Sequence, residues 1–352
     1  MEHFLILLLS IWIPSEIDGN KMQKRYDDND IGNEFVDIRV SSAIRQSNWE
    51  LRSELENLNG KDGVFSENNR NISTTDYEMN TSLMREYSLL FNVRNTNVGL
   101  VYAKNEARKD LGEKNYAAAE SLFGYLGIDD VFNNGGSLIA RYKYETVGGL
   151  ATTTDWSGGS LPPVKFESKH KYFMLAEEFP NGVFIGFSHN QSNLPMGVGF
   201  LESSGRIQPY FDTDVEIKST KFVLGGSSTN VALDRQRFYK GIYSSLEFGL
   251  GLFTYDYSDK LKNQVFNRDG FRPDGKSGYV FGGNVEIGYA VHKRFESAYD
   301  IGLAFELGLS MEGDYYQSSS LIFSEEESED VDIQFTRKDF RYGPIVRLTA
   351  AF

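Results

Sequence analysis

The chain has 352 residues, among them 26 Phe, 20 Tyr and 34 Gly, but only 8 Pro and no Cys. Without Cys it has no disulfide scaffold, thiol nucleophile or Cys-ligated metal site. The formal net charge of −14 argues against nucleic acid as a partner, because phosphate contacts need clustered Lys and Arg. Many aromatic residues, much Gly and few Pro favour an all-β chain with one face in an apolar medium.

Residues 4–13 (FLILLLSIWI) are an apolar run that ends at Pro14. The run has the length of a signal-peptide core and about half that of a helical membrane span. We therefore expect residues 1–19 to be an export signal, although no Lys or Arg precedes the run. A buried N-terminal strand or helix is the alternative. Residues 20–46 are predicted to be a polar lead-in to the folded part, residues 47–352.

The middle of the chain contains alternating segments that predict strands at residues 49–58, 76–94, 97–103, 137–150, 171–179, 183–189, 207–217 and 220–233. The sequence Pro-Asn-Gly at residues 180–182 is a strong hairpin signal between two of them. Residues 114–127 differ, because Ala119, Phe123 and Leu126 share one helical face. We predict one short helix there, within a long loop.

From residue 238 onward the alternation extends over long segments. Residues 239–257 set Ile242, Leu246, Phe248, Leu250 and Leu252 against Tyr243, Ser245, Glu247, Gly249 and Gly251. Residues 279–293 and 299–311 repeat the pattern. Such segments exceed the ~5–6 residues of an ordinary strand but suit a tilted strand that crosses a bilayer. Glycine on the polar face weakens a sandwich, whereas it fits the confined lumen of a closed barrel.

The connections alternate between short ones, residues 234–237 and 294–298, and long polar ones, residues 258–278 and 324–332. Short turns on one side and long loops on the other are typical of outer-membrane barrels. The last segment, FRYGPIVRLTAAF, alternates and ends at Phe352. In this closing segment the chain resembles the Gram-negative outer-membrane β-barrels as a class.

The resemblance implies a closed antiparallel transmembrane β-barrel of about 12 strands, with 8 or 10 as alternatives. It also implies location in the bacterial outer membrane, contact with its lipid and lipopolysaccharide, and assembly by the barrel-assembly machinery through the C-terminal strand. The expected function is non-enzymatic, either a narrow solute pore or a surface-exposed scaffold. No cofactor is expected.

Two further motifs favour ordinary surface loops. GFRPDGKS at residues 270–277 matches the phosphate-loop pattern, but that pattern needs a helix after the loop, and here an alternating segment follows. We therefore expect no nucleotide. In the acidic run at residues 325–332, Glu325, Glu326 and Glu327 are weak candidate ligands for Ca²⁺ or Mg²⁺ that bridges lipid phosphates. A solvated loop is the preferred interpretation.

FSHNQSN at residues 187–193 is the one cluster that suggests catalysis. Some outer-membrane lipid hydrolases carry a His and a Ser two residues apart, followed by Asn. Here His189, Ser192 and Asn193 are weak candidates, because the His–Ser spacing is three and Ser192 faces the other side unless a bulge intervenes. A lipid hydrolase that uses His189 and Ser192 is the alternative function; a His at the headgroup level is the preferred interpretation.

Charged residues on the small-residue face predict an ion-paired layer inside the barrel. Glu247, Glu286 and Glu306 lie at similar distances from the short-turn side, and Arg341 and Arg347 belong to the same inward set. On the strand at residues 137–150, Arg141 and Lys143 also face inward. Buried carboxylates need partners, so we expect pairing that either stabilises the barrel or forms a cation-leaning filter.

Overall fold

The computed structural model describes residues 36–46, 48–57, 71–79, 83–93, 95–105, 118–154, 164–195, 198–201, 207–210, 214–227, 238–257, 272–274, 277–295, 301–318, 321–325 and 328–352. All of them belong to one compact unit, Val36–Phe352. The predicted export signal at residues 1–19 lies outside the described residues. No helix in the described part is long and apolar enough to cross a membrane.

The first half of the chain forms β1 (Val36–Gln46), β2 (Asn48–Asn57), β3 (Asn71–Met79), β4 (Leu83–Val93), β5 (Thr96–Asn105), β6 (Ala118–Asp129), β7 (Ser137–Thr154), β8 (Val164–Glu178) and β9 (Val183–Pro195). The second half forms β10 (Val198–Leu201), β11 (Ile207–Tyr210), β12 (Asp214–Ser227), β13 (Phe238–Tyr257), β14 (Arg272–Asp274), β15 (Ser277–Phe295), β16 (Ile301–Ser318), β17 (Leu321–Glu325) and β18 (Ser328–Ala351).

Twelve antiparallel strands close into a barrel, in the order β1, β4, β5, β6, β7, β8, β9, β12, β13, β15, β16 and β18. The ring closes where Arg39–Arg45 pairs with Ile345–Ala351, so the first strand lies beside the last. Closure gives every barrel strand two neighbours, which an apolar surrounding demands of backbone polar groups. The predicted all-β barrel and the strand number are confirmed.

The barrel has fewer strands toward its long-loop end. There β2 extends the line of β1 along the wall, and β3 extends the line of β4. β2 pairs with both β18 and β3. Above the short β5–β6 hairpin, Thr74–Glu78 of β3 pairs directly with Leu150–Thr154 of β7. The wall therefore contains twelve strands near the short turns and ten near the long connections.

Outward side chains form a continuous exposed band, which we call the apolar belt. Its fractional exposure reaches 70% at Ile242 and 67% at Leu250. The belt includes Leu122, Phe173, Leu175, Phe187, Phe222, Leu224, Phe248, Leu252, Phe281, Ile287, Leu303, Phe305, Leu307, Leu309, Met311 and Leu348. Exposed Tyr142, Tyr279 and Tyr342 lie toward its long-loop edge. Beyond this edge the outward residues become charged, as at Lys171, Lys218 and Lys338.

Inward glycines make room for aromatic side chains at the inner wall. A Cβ at Gly308 would meet the Tyr243 hydroxyl at 2.5 Å, and one at Gly288 would meet the same ring at 2.7 Å. Phe184 similarly covers Gly225. The predicted location of glycine on the lumen face is thus explained by rings that need a wall without side chains.

The predicted helix at residues 114–127 is wrong over residues 118–127, which belong to β6. Outward Leu122 and Leu126 are exposed, whereas Ala119 and Ser121 are buried inside. The Ala-rich composition favours a helix only weakly. Because β6 supplies the hydrogen-bonding neighbour of both β5 and β7, closure of the wall overrides that preference.

Two predicted boundaries also change. The predicted polar lead-in ends too late, since residues 36–46 form β1 and pair with β4 and β18. Its polar inward residues, such as Arg39 and Arg45, concealed the alternation of Ile38, Val40 and Ile44. Of the strands predicted at residues 207–217 and 220–233, residues 207–210 form β11, whereas residues 214–217 and 220–227 belong to one strand, β12.

Candidate functional site in the lumen

The lower cluster, nearest the short turns, centres on Arg347 of β18. Its guanidinium lies 2.6 Å from a carboxylate oxygen of Glu306 and 3.1 Å from one of Glu286. Arg45 of β1 lies 3.9 Å from Glu286 and 3.7 Å from Glu86. The two arginines therefore link carboxylates from three strands across the closing seam of the barrel.

The middle cluster joins opposite parts of the wall. Arg141 of β7 lies 3.3 Å from Glu247 of β13, and the Tyr172 hydroxyl donates a hydrogen bond to the same carboxylate at 3.1 Å. The guanidinium also stacks over the Phe184 ring, 5.0 Å from its centroid. Because β7 and β13 are separated by three strands, these contacts cross the lumen.

The upper cluster centres on Arg341. This arginine lies 2.8 Å from Glu145 and stacks over the Trp49 ring, with its guanidinium carbon 3.4 Å from the centroid. Lys143 lies 3.7 Å from Glu145 and 3.6 Å from Glu312. Charged and aromatic side chains thus fill the lumen where the wall narrows.

An aromatic cluster fills the lumen beyond Arg341. Phe253, Tyr255, Tyr316 and Phe335 are nearly fully buried, and the Tyr255 and Phe335 rings stack at 5.1 Å. Arg337, only 1% exposed, donates to Ser192 at 3.1 Å and to Asp339 at 3.2 Å. Its guanidinium also lies 5.3 Å from the Tyr316 ring centroid.

The carboxylates of these clusters all have a cationic partner. Glu86 pairs with Arg45, Glu145 with Arg341, Glu247 with Arg141, Glu286 and Glu306 with Arg347, Glu312 with Lys143, Asp314 with Lys221, and Asp339 with Arg337. A cavity of about 340 Å³ remains between them. Charge compensation, rather than an excess of one sign, therefore characterises the lumen.

The structure brings together Glu286, Glu306 and Arg347 of the predicted layer. It places Glu247 with Arg141 and Arg341 with Glu145, so the layer is divided among three levels. Sequence reasoning missed Glu145, Arg45 and Arg337. The alternation of side chains along their strands marks all three as inward residues. However, Arg45 lies in the predicted polar lead-in, and Arg337 lies before the predicted closing segment, which begins at residue 340.

The candidate hydrolase residues lie on opposite faces of β9. Ser192 is buried inside the barrel and accepts a hydrogen bond from Arg337, whereas His189 is exposed outside and lies 3.1 Å from Thr220 Oγ1. Asn193 is exposed as well. No bulge interrupts the β9 register, so the His and Ser side chains cannot meet.

A different His–Ser contact lies inside the wall above the belt. His170 Nε2 is 3.1 Å from Ser168 Oγ, and that hydroxyl donates to the backbone carbonyl of Asn193. In this arrangement the hydroxyl proton is directed at that carbonyl oxygen and not at His170. Burial lowers the pKa of His170 to about 4.

The acidic candidates do not form a described metal site. Glu325 ends β17, while Glu326 and Glu327 lie outside the described residues. Within the described ranges, no group of three or more acidic or His side chains is arranged to hold a metal ion. For the phosphate-loop motif, Ser277 begins strand β15, where a nucleotide-binding loop would begin a helix.

The even-numbered antiparallel barrel, the apolar belt and the short turns at one end define the class of the protein. Only a closed barrel can expose such a belt to hydrocarbon and still satisfy its backbone polar groups. The chain is a transmembrane β-barrel of the bacterial outer-membrane class.

No protein-family model and no curated protein matches the sequence. Among solved structures, the outer membrane protease OmpT from Escherichia coli is 9% identical and covers 90% of this chain and 97% of its own, with a TM-score of 0.28. OprG from Pseudomonas aeruginosa is 8% identical, with coverages of 91% and 98% and a TM-score of 0.26. The P. putida toluene transporter TodX is 7% identical, with coverages of 90% and 90% and a TM-score of 0.30. Because these TM-scores are low, the fold assignment rests on the strand pairing of this chain.

Proposed function

We propose that the protein is a non-enzymatic outer-membrane barrel with a closed lumen, and that it acts as a surface-exposed scaffold. The observation that carries this proposal is the burial of inward charged side chains. Arg337 is 1% exposed, Glu145 2%, Glu306 3% and Lys221 6%. In an open pore these groups would line a water-filled channel.

The ion pairs support a structural use of the lumen charges. An isolated charge in a low-dielectric interior costs several kcal/mol, so each buried carboxylate stabilises the barrel only with its partner in place. Arg45 of β1 and Arg347 of β18 both contact Glu286, at 3.9 and 3.1 Å, and so connect the two strands that meet at the seam. Their removal should loosen the seam that closes the wall.

The non-enzymatic part of the proposal is supported by the separation of His189 from Ser192 across the wall. An assay of the purified protein on phospholipid and lipopolysaccharide tests it, with His189→Ala as the control. Hydrolysis by the wild type that the variant lacks would contradict the proposal. We expect no turnover by either protein.

Planar-bilayer recording tests the closed lumen. We expect the full chain, inserted from detergent, to give no stable conductance steps. Arg337→Ala should show brief openings, because its side chain fills the narrow part of the lumen together with Tyr316. Steady ohmic conductance by the wild type would contradict the closed lumen.

A narrow cation-leaning pore is the second candidate. The cavity of about 340 Å³ and the Glu312 side chain, 44% exposed within it, favour this alternative. If the wild type conducts, changing Glu247, Glu286 and Glu306 to Gln should shift the reversal potential toward anions. An unmoved potential would exclude a filter at these residues.

Assembly through the C-terminal strand is also proposed. β18 is 24 residues long and pairs with β16 along one side and with β1 and β2 along the other, so it completes the wall. Deletion of Phe352 should reduce the heat-modifiable folded band of the protein expressed in cells. Unchanged assembly would argue against recognition at this end.

A further inference from the structure

Outside the barrel, the long-loop edge of the apolar belt carries a cluster of bases on β8, β9 and β12. This basic patch consists of Lys169, Lys171, His189 and Lys218, all exposed. Gln191 pairs with Lys171 on one side and Lys218 on the other. Since neighbouring strands lie about 4.8 Å apart, the two lysine backbones are about 10 Å apart. Their side chains can therefore reach one group placed over Gln191.

Among the described residues, one lysine of the patch, Lys218, is paired with a carboxylate, whereas Lys169 and Lys171 are not. Lys218 lies 2.8 Å from Glu216, which also accepts a hydrogen bond from Gln191. Neither Lys169 nor Lys171 forms a salt bridge with any residue that the structure describes. Glu167 shares their face but lies further from the belt. An anion is thus the ligand that this patch favours.

Directly below the patch lies an aromatic part of the apolar belt. Phe187 is 61% exposed, and Phe173 and Phe222 are each 47% exposed. Phe187 and Phe222 meet edge to face with centroids 5.6 Å apart. His189 occupies the row between these rings and the lysines, beside Phe173 in the register. The surface therefore passes from bases to apolar rings within a few residues along each strand.

This order of surfaces matches an anionic lipid in which phosphate lies above acyl chains. The patch lies at the long-loop end, which faces outward in outer-membrane barrels. We propose that the basic patch binds the phosphorylated glycolipid of the outer leaflet, lipopolysaccharide. Lys171 and Lys169 contact a phosphate, Lys218 and His189 flank it, and an acyl chain packs along Phe187 and Phe222. The site is independent of the state of the lumen, so its test does not depend on the proposed function.

Binding of lipid A with two phosphates to the purified full-length protein in nonionic detergent, measured by native mass spectrometry, tests the site. We expect the double variant Lys169→Gln/Lys171→Gln to bind at least about tenfold more weakly. The matched control is Lys240→Gln/Lys293→Gln, two exposed lysines near the short-turn edge with the same change in charge. This control should bind within about twofold of the wild type. Heat-modifiable mobility confirms that each variant is folded.

Three outcomes would overturn the proposal. One is wild-type affinity in the Lys169→Gln/Lys171→Gln variant, and another is an equal loss in the control pair, which would indicate unspecific charge attraction. The third is displacement of lipid A by millimolar inorganic phosphate, which would make free phosphate the ligand. Lys171→Arg should retain binding, since it keeps the charge at the phosphate.

Discussion

Replacement of Arg347 by Met is the sharpest test of the lumen network. Arg347 lies 2.6 Å from Glu306, whose side chain is 5% exposed, and no other cation is paired with that carboxylate in the described part. Glu286 keeps Arg45 at 3.9 Å. Because breaking a buried ion pair strands a charge, Arg347→Met should lower the free energy of unfolding by about 3–5 kcal/mol.

A double-mutant cycle separates charge from packing. The variant Arg347→Met/Glu306→Gln removes the stranded carboxylate and should recover about 2 kcal/mol relative to Arg347→Met alone. Urea unfolding in lipid vesicles, followed by tryptophan fluorescence, measures both values. Lys104→Met is the control, because Lys104 and Glu120 pair at 3.8 Å with both side chains about half exposed. That surface pair should contribute less than about 1 kcal/mol.

The reasoning would be refuted by either of two results. In the first, Arg347→Met destabilises the barrel no more than Lys104→Met does. In the second, Glu306→Gln adds its own loss to that of Arg347→Met without any recovery, which would mean that the two side chains are not energetically coupled.

Two other perturbations have matched controls. Gly308→Ala should lower the free energy of unfolding by about 1–3 kcal/mol, because the new Cβ would lie 2.5 Å from the Tyr243 hydroxyl. The control Gly124→Ala should cost nothing, because the space around its Cβ is open. Equal losses in the two variants would contradict this explanation by packing. Burial lowers the pKa of His170 to about 4 from 6.5. Between these pH values the imidazole is protonated in the unfolded chain but not in the folded one. The free energy of unfolding should therefore decrease as the pH falls, by on the order of 3 kcal/mol. His170→Gln should flatten this pH dependence of urea unfolding, whereas the same change at exposed His189 should leave it; a decline that persists in His170→Gln would place its origin elsewhere.

Alternation along each strand allowed the faces to be predicted, because side chains on a strand point to opposite sides with a period of two. Glu247, Glu286 and Glu306 were therefore expected inside, and the structure places them beside Arg141 and Arg347. Their partners could not be predicted in the same way. Arg141 is 106 residues from Glu247 in sequence, and their contact depends on the order and stagger of the strands around the ring.

The errors arose where local composition opposed the closed wall. The Ala-rich start of β6 favours a helix, and Ser41 and Ser42 weaken the apolar alternation of β1. In both cases the hydrogen-bonding demand of neighbouring strands decides the conformation, and that demand comes from residues far away in sequence. Residues 207–217 and 220–233 were likewise predicted as two strands, although residues 214–227 form the single strand β12.

The direct pairing of β3 with β7 shows how the number of strands in such a barrel can change. At the long-loop end the strands on either side of the β5–β6 hairpin are already hydrogen-bonded to each other, as they would be in a molecule that lacked it. The hairpin is one up-and-down repeat, with a single connection at the short-turn side to each neighbour. Gain or loss of such a repeat preserves the even strand number and the direction of every other strand, so the circumference can change by two strands while the remaining pairs keep their partners.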